Sequence, residues 1–348
     1  MRAASAFRDG TFHNTSGLGP GLQQDAIWST LGEYFTGGQV RSPPAPLPAM
    51  NPLDALSRPV QSGLRATWLG HSTTLLEVDG VRLLTDPVWG ERASPWRLAG
   101  PKRFQPVPIS VANLPPLDAV LISHDHYDHL DYPTILALAE LDVPFITALG
   151  VGAHLEGWGV PPERIVELDW WEEHRVAGSE VRVTATPCQH FSGRGPTDRN
   201  RTLWASLAVR GPRSSVFFSG DTGLTEEYAE VRQRLGAFDL VMLEIGAWHP
   251  SWGSIHLGPS RALDAHALLG GGAMMPVHWG TFNLAMHAWD EPAETLLTEG
   301  AARGVQLVMP RLGQSFEPAH AEAVEPWWRE VGARAAGRVA FEPAAGKV

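Results

Sequence analysis

Directly behind an apolar run, the stretch AVLISHDHYDHLDY (Ala119 to Tyr132) crowds three histidines and three aspartates together. His124 and His126, two apart, share one side of an extended or turning segment, while Asp128 and His129 continue around the turn toward a second centre. One metal ion cannot use all four comfortably. A second ion accounts for the surplus, and a shared carboxylate at Asp221 would offset the repulsion between two dications. Any fold open to this chain has to bring further ligands to the end of that apolar run.

The rest of the sequence repeats the same positional habit. His124 follows DAVLIS, His190 follows VRVTATP, Asp221 follows VFFSG and His278 follows AMMPV, so each polar residue sits just past a candidate strand. In sheets with helical crossovers, sites gather at the carboxyl ends of strands, which lets separate strand ends deliver these side chains to one place. From about residue 61 the chain reads as short β-rich runs bounded by turn signals: RATWLG, TTLLEVDG, VRLLTDP, DAVLIS, VRVTATP, SVFFSGD, LVMLEIG and AMMPVHWG. Helical candidates YPTILALAEL, EEYAEVRQRLG and PSRALDAHALLG lie between some of them. Hairpin-like strands followed by strand–helix alternation predict an α/β fold of two sheets with helices outside.

Composition narrows the chemistry. Cys188 is the only cysteine, so no internal disulfide and no thiolate cage is available, and any metal must rest on histidine and carboxylate. A net charge of −11 gives no global field that would attract nucleic acid or an anionic bilayer. No run approaches the ~18 apolar residues of a membrane span, and the first residues lack the apolar core of a secretion signal, so the chain is read as cytoplasmic. Residues 1–60 read as an extension, Gly/Pro-rich around DAIWSTLGEYF, whose Ile27, Trp28, Leu31, Tyr34 and Phe35 fall at helical spacing behind Asp25 as N-cap. A helix packed on its own domain is favoured over a lipid contact there, because the stretch lacks a Lys/Arg face.

HDHYDH matches the His-x-His-x-Asp-His signature of the metallo-β-lactamase fold, and GDTG and PVHWGTF look like its later ligand segments. LTDPVW, RASP, GPKRF, LPPLDAVLISHDHYDHLDY, ELDWWEE, FDL and HWGTF further resemble N-acylphosphatidylethanolamine-hydrolysing phospholipase D and its bacterial relatives, over roughly residues 65 to 315. The resemblance implies a four-layer αββα sandwich, with a catalytic domain over 61–320 and a tail over 321–348. It also implies one metal held by His124, His126 and His190, another by Asp128, His129 and His278, and Asp221 bridging both. Zinc suits imidazole and carboxylate without thiolate, with iron or manganese left open. Water between two such ions would give a hydroxide nucleophile near neutral pH, oriented in part by Asp128, and the metals would stabilise charge developing on the substrate. The resemblance makes His256 the non-ligand histidine that assists the leaving group, with His249 as its competitor.

Other residues carry weaker expectations. His71 is given a second-layer or packing role, and His13, His154, His174, His266, His287 and His320 are read as structural or exposed. Asp86 in LTDP is either the partner of a ligand histidine or a turn-forming aspartate before proline. Lys102 and Arg103 either meet a phosphate or form an exposed basic pair. Cys188 is read as buried and inert, Trp170 and Trp171 as packing, and Trp248, Trp252 and Trp279 as aromatic walls near the site.

Three functions compete: a dinuclear phosphodiesterase, a lactonase or other carbonyl-ester hydrolase of the same fold, and a non-hydrolytic diiron or silent member. No flavin domain is visible and no ligand position is lost, which favours hydrolysis. GPKRF, ELDWWEE and HWGTF favour the phosphodiester. The expected partner is a phosphodiester or lipid-like small molecule, with peripheral membrane contact left open and no nucleic acid.

Overall fold

Strands covered on both faces read as unbroken apolar runs rather than alternating ones, and AVLI, VFF and LVML read in that way. In the computed structural model, which describes residues 6–18, 38–96, 98–249, 252 and 254–331, these segments are the buried centres of two sheets. The candidate helix at 25–35 lies outside the described residues. All eight runs quoted above contain strands. After a short hairpin, β1 (Phe7–Arg8) and β2 (Thr11–Phe12), and a one-turn helix α1 (Leu53–Leu56), the first sheet begins with β3 (Leu64–Gly70), β4 (Thr73–Val78) and β5 (Val81–Thr85). It continues with β6 (Ala119–Ile122), β7 (Phe145–Ala148) and β8 (Ile165–Leu168), and β15 (Ser315–Phe316) returns to its edge, in the order β15-β3-β4-β5-β6-β7-β8. The second sheet holds β9 (Glu173–Arg175), β10 (Arg182–Thr186), β11 (Ser206–Arg210), β12 (Ser215–Phe218), β13 (Leu240–Glu244) and β14 (Ala273–Val277), in sequential order across the sheet.

The two sheets are wired alike. Each starts with antiparallel hairpins, β3-β4-β5 and β9-β10-β11-β12. Each then turns parallel, β5-β6-β7-β8 and β12-β13-β14, as crossover connections require. The crossovers carry α2 (Tyr132–Ala139) and α3 (Gly152–Gly157) in the first half, and α4 (Glu227–Leu235) and α5 (Gly258–Leu268) in the second, with α6 (Glu291–Ala302) packed on α5. The expected four-layer αββα sandwich is the fold found.

One continuous core joins the sheets, from Leu75 and Phe145 to Phe217 and Phe218. It also takes in Trp327 and Trp328, which fall in the stretch read as a tail. Both are fully buried, Trp327 lies 5.6 Å from Trp279, and Trp279 stacks on Trp68 at 5.6 Å and 10°. The early segment is likewise attached: the Asn14 side chain donates to the carbonyl of His190 (2.9 Å) and accepts from its N–H (3.1 Å). Trp170 is buried and Trp204 receives it through a 2.7 Å bond to its carbonyl, as packing residues do.

Candidate metal centre

The strand-end histidines and aspartates meet because the carboxyl ends of both sheets face each other. Gly220, at φ +55° in the GDTG turn, is one reason they can come so close. A Cβ there would lie 2.7 Å from Cβ of Ser123 at the end of β6, so only glycine lets Asp221 approach the histidines of the first sheet.

Two donor sets result. In the first, His124 Nε2 lies 2.9 Å and His190 Nε2 3.2 Å from His126 Nδ1, and Asp221 Oδ2 stands 3.8 and 3.7 Å from the rings of His124 and His190. In the second, Asp128 Oδ2 lies 3.2 Å from His278 Nε2 and 3.6 Å from His129 Nε2. Asp221 Oδ1 lies 3.1 Å from that same His129 nitrogen and 3.2 Å from that of His278. The two oxygens of Asp221 thus face different sets. Donors ~2.1 Å from one cation cannot be more than about 4.2 Å apart, and every separation just given satisfies this.

Charge and hydrogen bonding test whether ions fit. Asp221 Oδ1 and His129 Nε2 are both buried without a hydrogen-bond partner. Orphaned buried polar atoms are rare and call for a reason. A cation liganded by nitrogen and oxygen satisfies both, so the residues present fit divalent ions on both sides of Asp221. Protons occupy part of that role in the metal-free protein. Burial opposes charge on His129 and His278, yet Asp221 and Asp128 overcome it, raising His129 well above the usual imidazole range and His278 to about 10. Burial, reinforced by neighbouring imidazoles, pushes His124 well below that range. Burial likewise lowers His126 and takes His190 well below.

A second layer orients the rings. Asp86 Oδ2 accepts from His129 Nδ1 at 2.7 Å, while its two oxygens also accept the Ser123 N–H (2.7 Å) and hydroxyl (2.6 Å). Of the two roles open to it, ring partner and turn former, Asp86 has the first and also takes a left-handed φ of +33°. His190 Nδ1 meets the carbonyl of Ile255 at 2.9 Å and His124 Nδ1 the hydroxyl of Ser123 at 2.9 Å. Asp125, inside the histidine signature, turns away from the centre and accepts from Gly193 N–H and Thr202 Oγ1, both at 2.8 Å.

His71 is closer than a packing residue needs to be. Its Nε2 is 3.1 Å from Asp128 Oδ2, its ring is 4.1 Å from that of His278, and burial lowers its pKa to about 3. His71 and His278 both hold left-handed φ, +54° and +62°, and the N–H of His278 donates to the carbonyl of His71 at 3.1 Å. Non-glycine residues in that region cost of order 1–3 kcal/mol each and cluster at functional sites.

Beside the two sets opens a cleft of about 410 Å³ bordered by Asp128, Asp221, Phe191, Arg199, Trp252 and His256 among others. His256 therefore faces the site, stacked on His278 at 5.5 Å and 20°. His249 borders a neighbouring hollow instead and packs 6.0 Å from the Trp252 ring. Trp252 is an aromatic wall of the cleft, whereas Trp279 belongs to the tryptophan stack beneath it. Neither member of GPKRF's basic pair borders this cleft: Lys102 pairs with Glu91 at 2.8 Å, and Arg103 is buried, donating to the Gly90 carbonyl and lying over the Phe282 ring. Cys188 is buried, and burial pushes its thiol well up, consistent with an inert side chain.

Glu244, which the strand-end pattern should have flagged, went unremarked in the sequence because it closes the apolar run LVML. It is fully buried and accepts from His256 Nδ1 at 2.7 Å.

Comparison with known proteins agrees with this architecture. The family described as the Beta-lactamase superfamily domain matches residues 81–279. An uncharacterized protein of Mycobacterium tuberculosis (strain ATCC 25618 / H37Rv) is 45% identical over 331 residues, covering 93% of this chain and 87% of that protein. N-acyl-phosphatidylethanolamine-hydrolyzing phospholipase D 1 of Caenorhabditis elegans is 38% identical over 232 residues, covering 64% of this chain and 65% of that protein. Among solved structures, Igni18, a metallo hydrolase from the archaeon Ignicoccus hospitalis KIN4/I, superposes with a TM-score of 0.56 at 22% identity, over 73% of this chain and 98% of that one. With its histidine signature, its two facing sheets and this family match, the chain belongs to the beta-lactamase superfamily and carries the metallo-β-lactamase fold.

Proposed function

We propose that this protein is a dinuclear metal-dependent hydrolase of phosphodiesters, acting on a phospholipase D-like substrate such as an N-acylphosphatidylethanolamine. His124, His126 and His190 would hold one divalent ion, Asp128, His129 and His278 the other, and Asp221 would bridge them, with zinc as the ion best matched to this donor set. The observation that carries the reading is the split carboxylate of Asp221, one oxygen toward each histidine set. Its relative in Caenorhabditis elegans, named for hydrolysis of N-acylphosphatidylethanolamine, supports the substrate class.

When bound, the ions supply a nucleophile near neutral pH and positive charge against the phosphate oxygens. The chain's residues do the rest. Asp128, held by His71 at 3.1 Å, orients the nucleophile's side of the cleft. Arg199 borders the same cleft and brings a cation that suits a phosphodiester's negative charge. Phe191 and Trp252 give it apolar walls against an acyl chain. His256, which borders the cleft and stacks on His278, protonates the departing alkoxide.

The test is metal analysis of the purified protein followed by phosphodiester, phosphomonoester and lactone substrates. Cleavage of the diesters is expected; cleavage of lactones alone would turn the reading to carbonyl-ester hydrolysis. His256→Ala should lower the rate roughly 10²- to 10⁴-fold for a dialkyl diester and much less for bis(p-nitrophenyl) phosphate, whose leaving group needs little protonation. Equal losses on both would assign His256 to phosphate binding instead.

A further inference from the structure

Glu244 closes β13 with a carboxylate at zero exposure, in a position where an apolar residue would continue the run LVML. Burying a carboxylate is expensive unless every oxygen has donors, so its contacts say what it is for. Oε1 accepts the N–H of Thr222 at 2.8 Å and of Leu257 at 3.1 Å, the residues that follow Asp221 and His256. Two main-chain donors on one oxygen fix the carboxylate's plane. Oε2 is thereby aimed at His256 Nδ1, 2.7 Å away, with His278 Nδ1 at 3.6 Å. The His256 ring is further confined between His278, stacked at 5.5 Å, and His190, edge-on at 5.1 Å. With Nδ1 engaged below, the ring's other nitrogen is left for the cleft that His256 borders.

We infer that Glu244 is a positioning residue: it holds His256 by Nδ1 so that Nε2 faces the substrate, and it does so from a carboxylate locked to the turns that carry Asp221 and His256. The inference deepens the hydrolytic reading and rests on it for its kinetic consequence. The contact itself has a consequence that needs no turnover. An Nδ1–H buried against a carboxylate exchanges slowly with water, so the His256 ring should give an observable ¹H–¹⁵N correlation in the full-length, zinc-loaded protein, identified by its loss in His256→Ala.

The experiment compares Glu244→Gln, Glu244→Asp and Glu244→Ala, alone and combined with His256→Ala, following that resonance, the zinc content and the cleavage of a dialkyl phosphodiester and of bis(p-nitrophenyl) phosphate. Zinc content should stay at the wild-type value. The resonance should vanish in Glu244→Ala and return, shifted, in Glu244→Asp. Glu244→Gln should lower kcat on the dialkyl diester roughly 10- to 100-fold, the range for removing a partner that orients a working imidazole, with little change in KM. In the His256→Ala background, Glu244→Ala should add no further loss, since residues acting as a unit are non-additive. A further loss equal to that of the single variant would overturn the inference, as would an unchanged His256 resonance in Glu244→Ala. Failure of all three variants to fold would assign Glu244 to scaffold alone and overturn it as well. If the wild-type protein cleaves neither diester, the hydrolytic reading falls, while the resonance still decides whether Glu244 holds His256.

Discussion

Asp86→Asn changes one atom of a buried side chain and isolates what the second layer does for the metals. Asp86 is fully buried; one oxygen takes the Ser123 N–H, and the other takes both the Ser123 hydroxyl and His129 Nδ1. An asparagine can keep its carbonyl on the Ser123 N–H, but its NH₂ then faces the two donors on the other side. The charge-assisted bond to His129, worth about 1.5–3 kcal/mol, is lost. Against this, the neutral amide escapes the burial that raises the Asp86 pKa, so the two effects oppose each other in the metal-free fold. We therefore expect its unfolding free energy to change by less than about 1.5 kcal/mol. No such offset applies to metal binding. Loss of the partner that fixes a ligand imidazole lowers affinity about 10- to 100-fold, or roughly 1.4–2.8 kcal/mol at 1.4 kcal/mol per decade. The ion on the His129 side should bear that loss. The His124 side, reached only through the Ser123 hydroxyl at 2.9 Å, should bear less. Zinc titration against a chromophoric chelator, with denaturant melts of the chelated protein, measures both quantities. A folded Asp86→Asn protein that binds both ions as tightly as wild type would refute the reasoning, and so would equal weakening at the two sites.

Three further outcomes are expected. Asp221→Ala should lower metal content and nearly abolish hydrolysis by leaving two dications without their shared anion; elemental analysis with normal occupancy in the folded variant would count against the bridge. In the chelated protein, His278 titrates at about 10 against 6.5 unfolded. Its raised pKa therefore contributes stability that is fully present below about pH 6.5 and is lost as pH rises toward 10; denaturant melts across that window should show the decline, and zinc uptake there should release protons. Trp68→Ala removes a fully buried ring stacked on Trp279 and should cost about 3–5 kcal/mol, read from the same melts.

Four of the seven candidate metal-binding positions, His124, His190, Asp221 and His278, were legible because each obeys a local rule, an apolar run and then a polar residue, and His126, Asp128 and His129 lie within five residues of the first. Glu244 obeys that rule too, but a lone carboxylate at a strand end resembles ordinary turn polarity, and its meaning appears only when β13 brings it under His256. His71 was harder. Its contact with Asp128 depends on the β3–β4 turn meeting the end of β14, a pairing through the carbonyl of His71 and the N–H of His278 that no local pattern encodes. The fold class was readable from the alternation of strands and helices, whereas β1, β2, β7, β8, β9, β11 and β15 were not. Among the helices, neither the short α1 and α3 nor the longer α6 was readable. Helix α6 carries Gly300 on its packed face, where a Cβ would come 2.7 Å from Leu307; a residue that weakens helical propensity is there for close approach. Arg103 shows the converse, a basic residue of a quoted motif that is spent on main-chain carbonyls and an aromatic ring.

The clasp of Asn14 on His190 means that the stretch matched by the family, 81–279, is not a unit that could be excised. A chain trimmed to those limits would lose both hydrogen bonds that pin the His190 peptide from 176 residues away. It would also lose β3 and β4, which carry Trp68 and lead into and out of His71. The partner indoles of Trp279, on Trp327 and Trp328, would go with them. Asn14 on one side and Trp327 and Trp328 on the other thus act as braces for segments of the candidate site, and deletion mapping from either end should extinguish metal uptake before it reaches the first histidine of the signature.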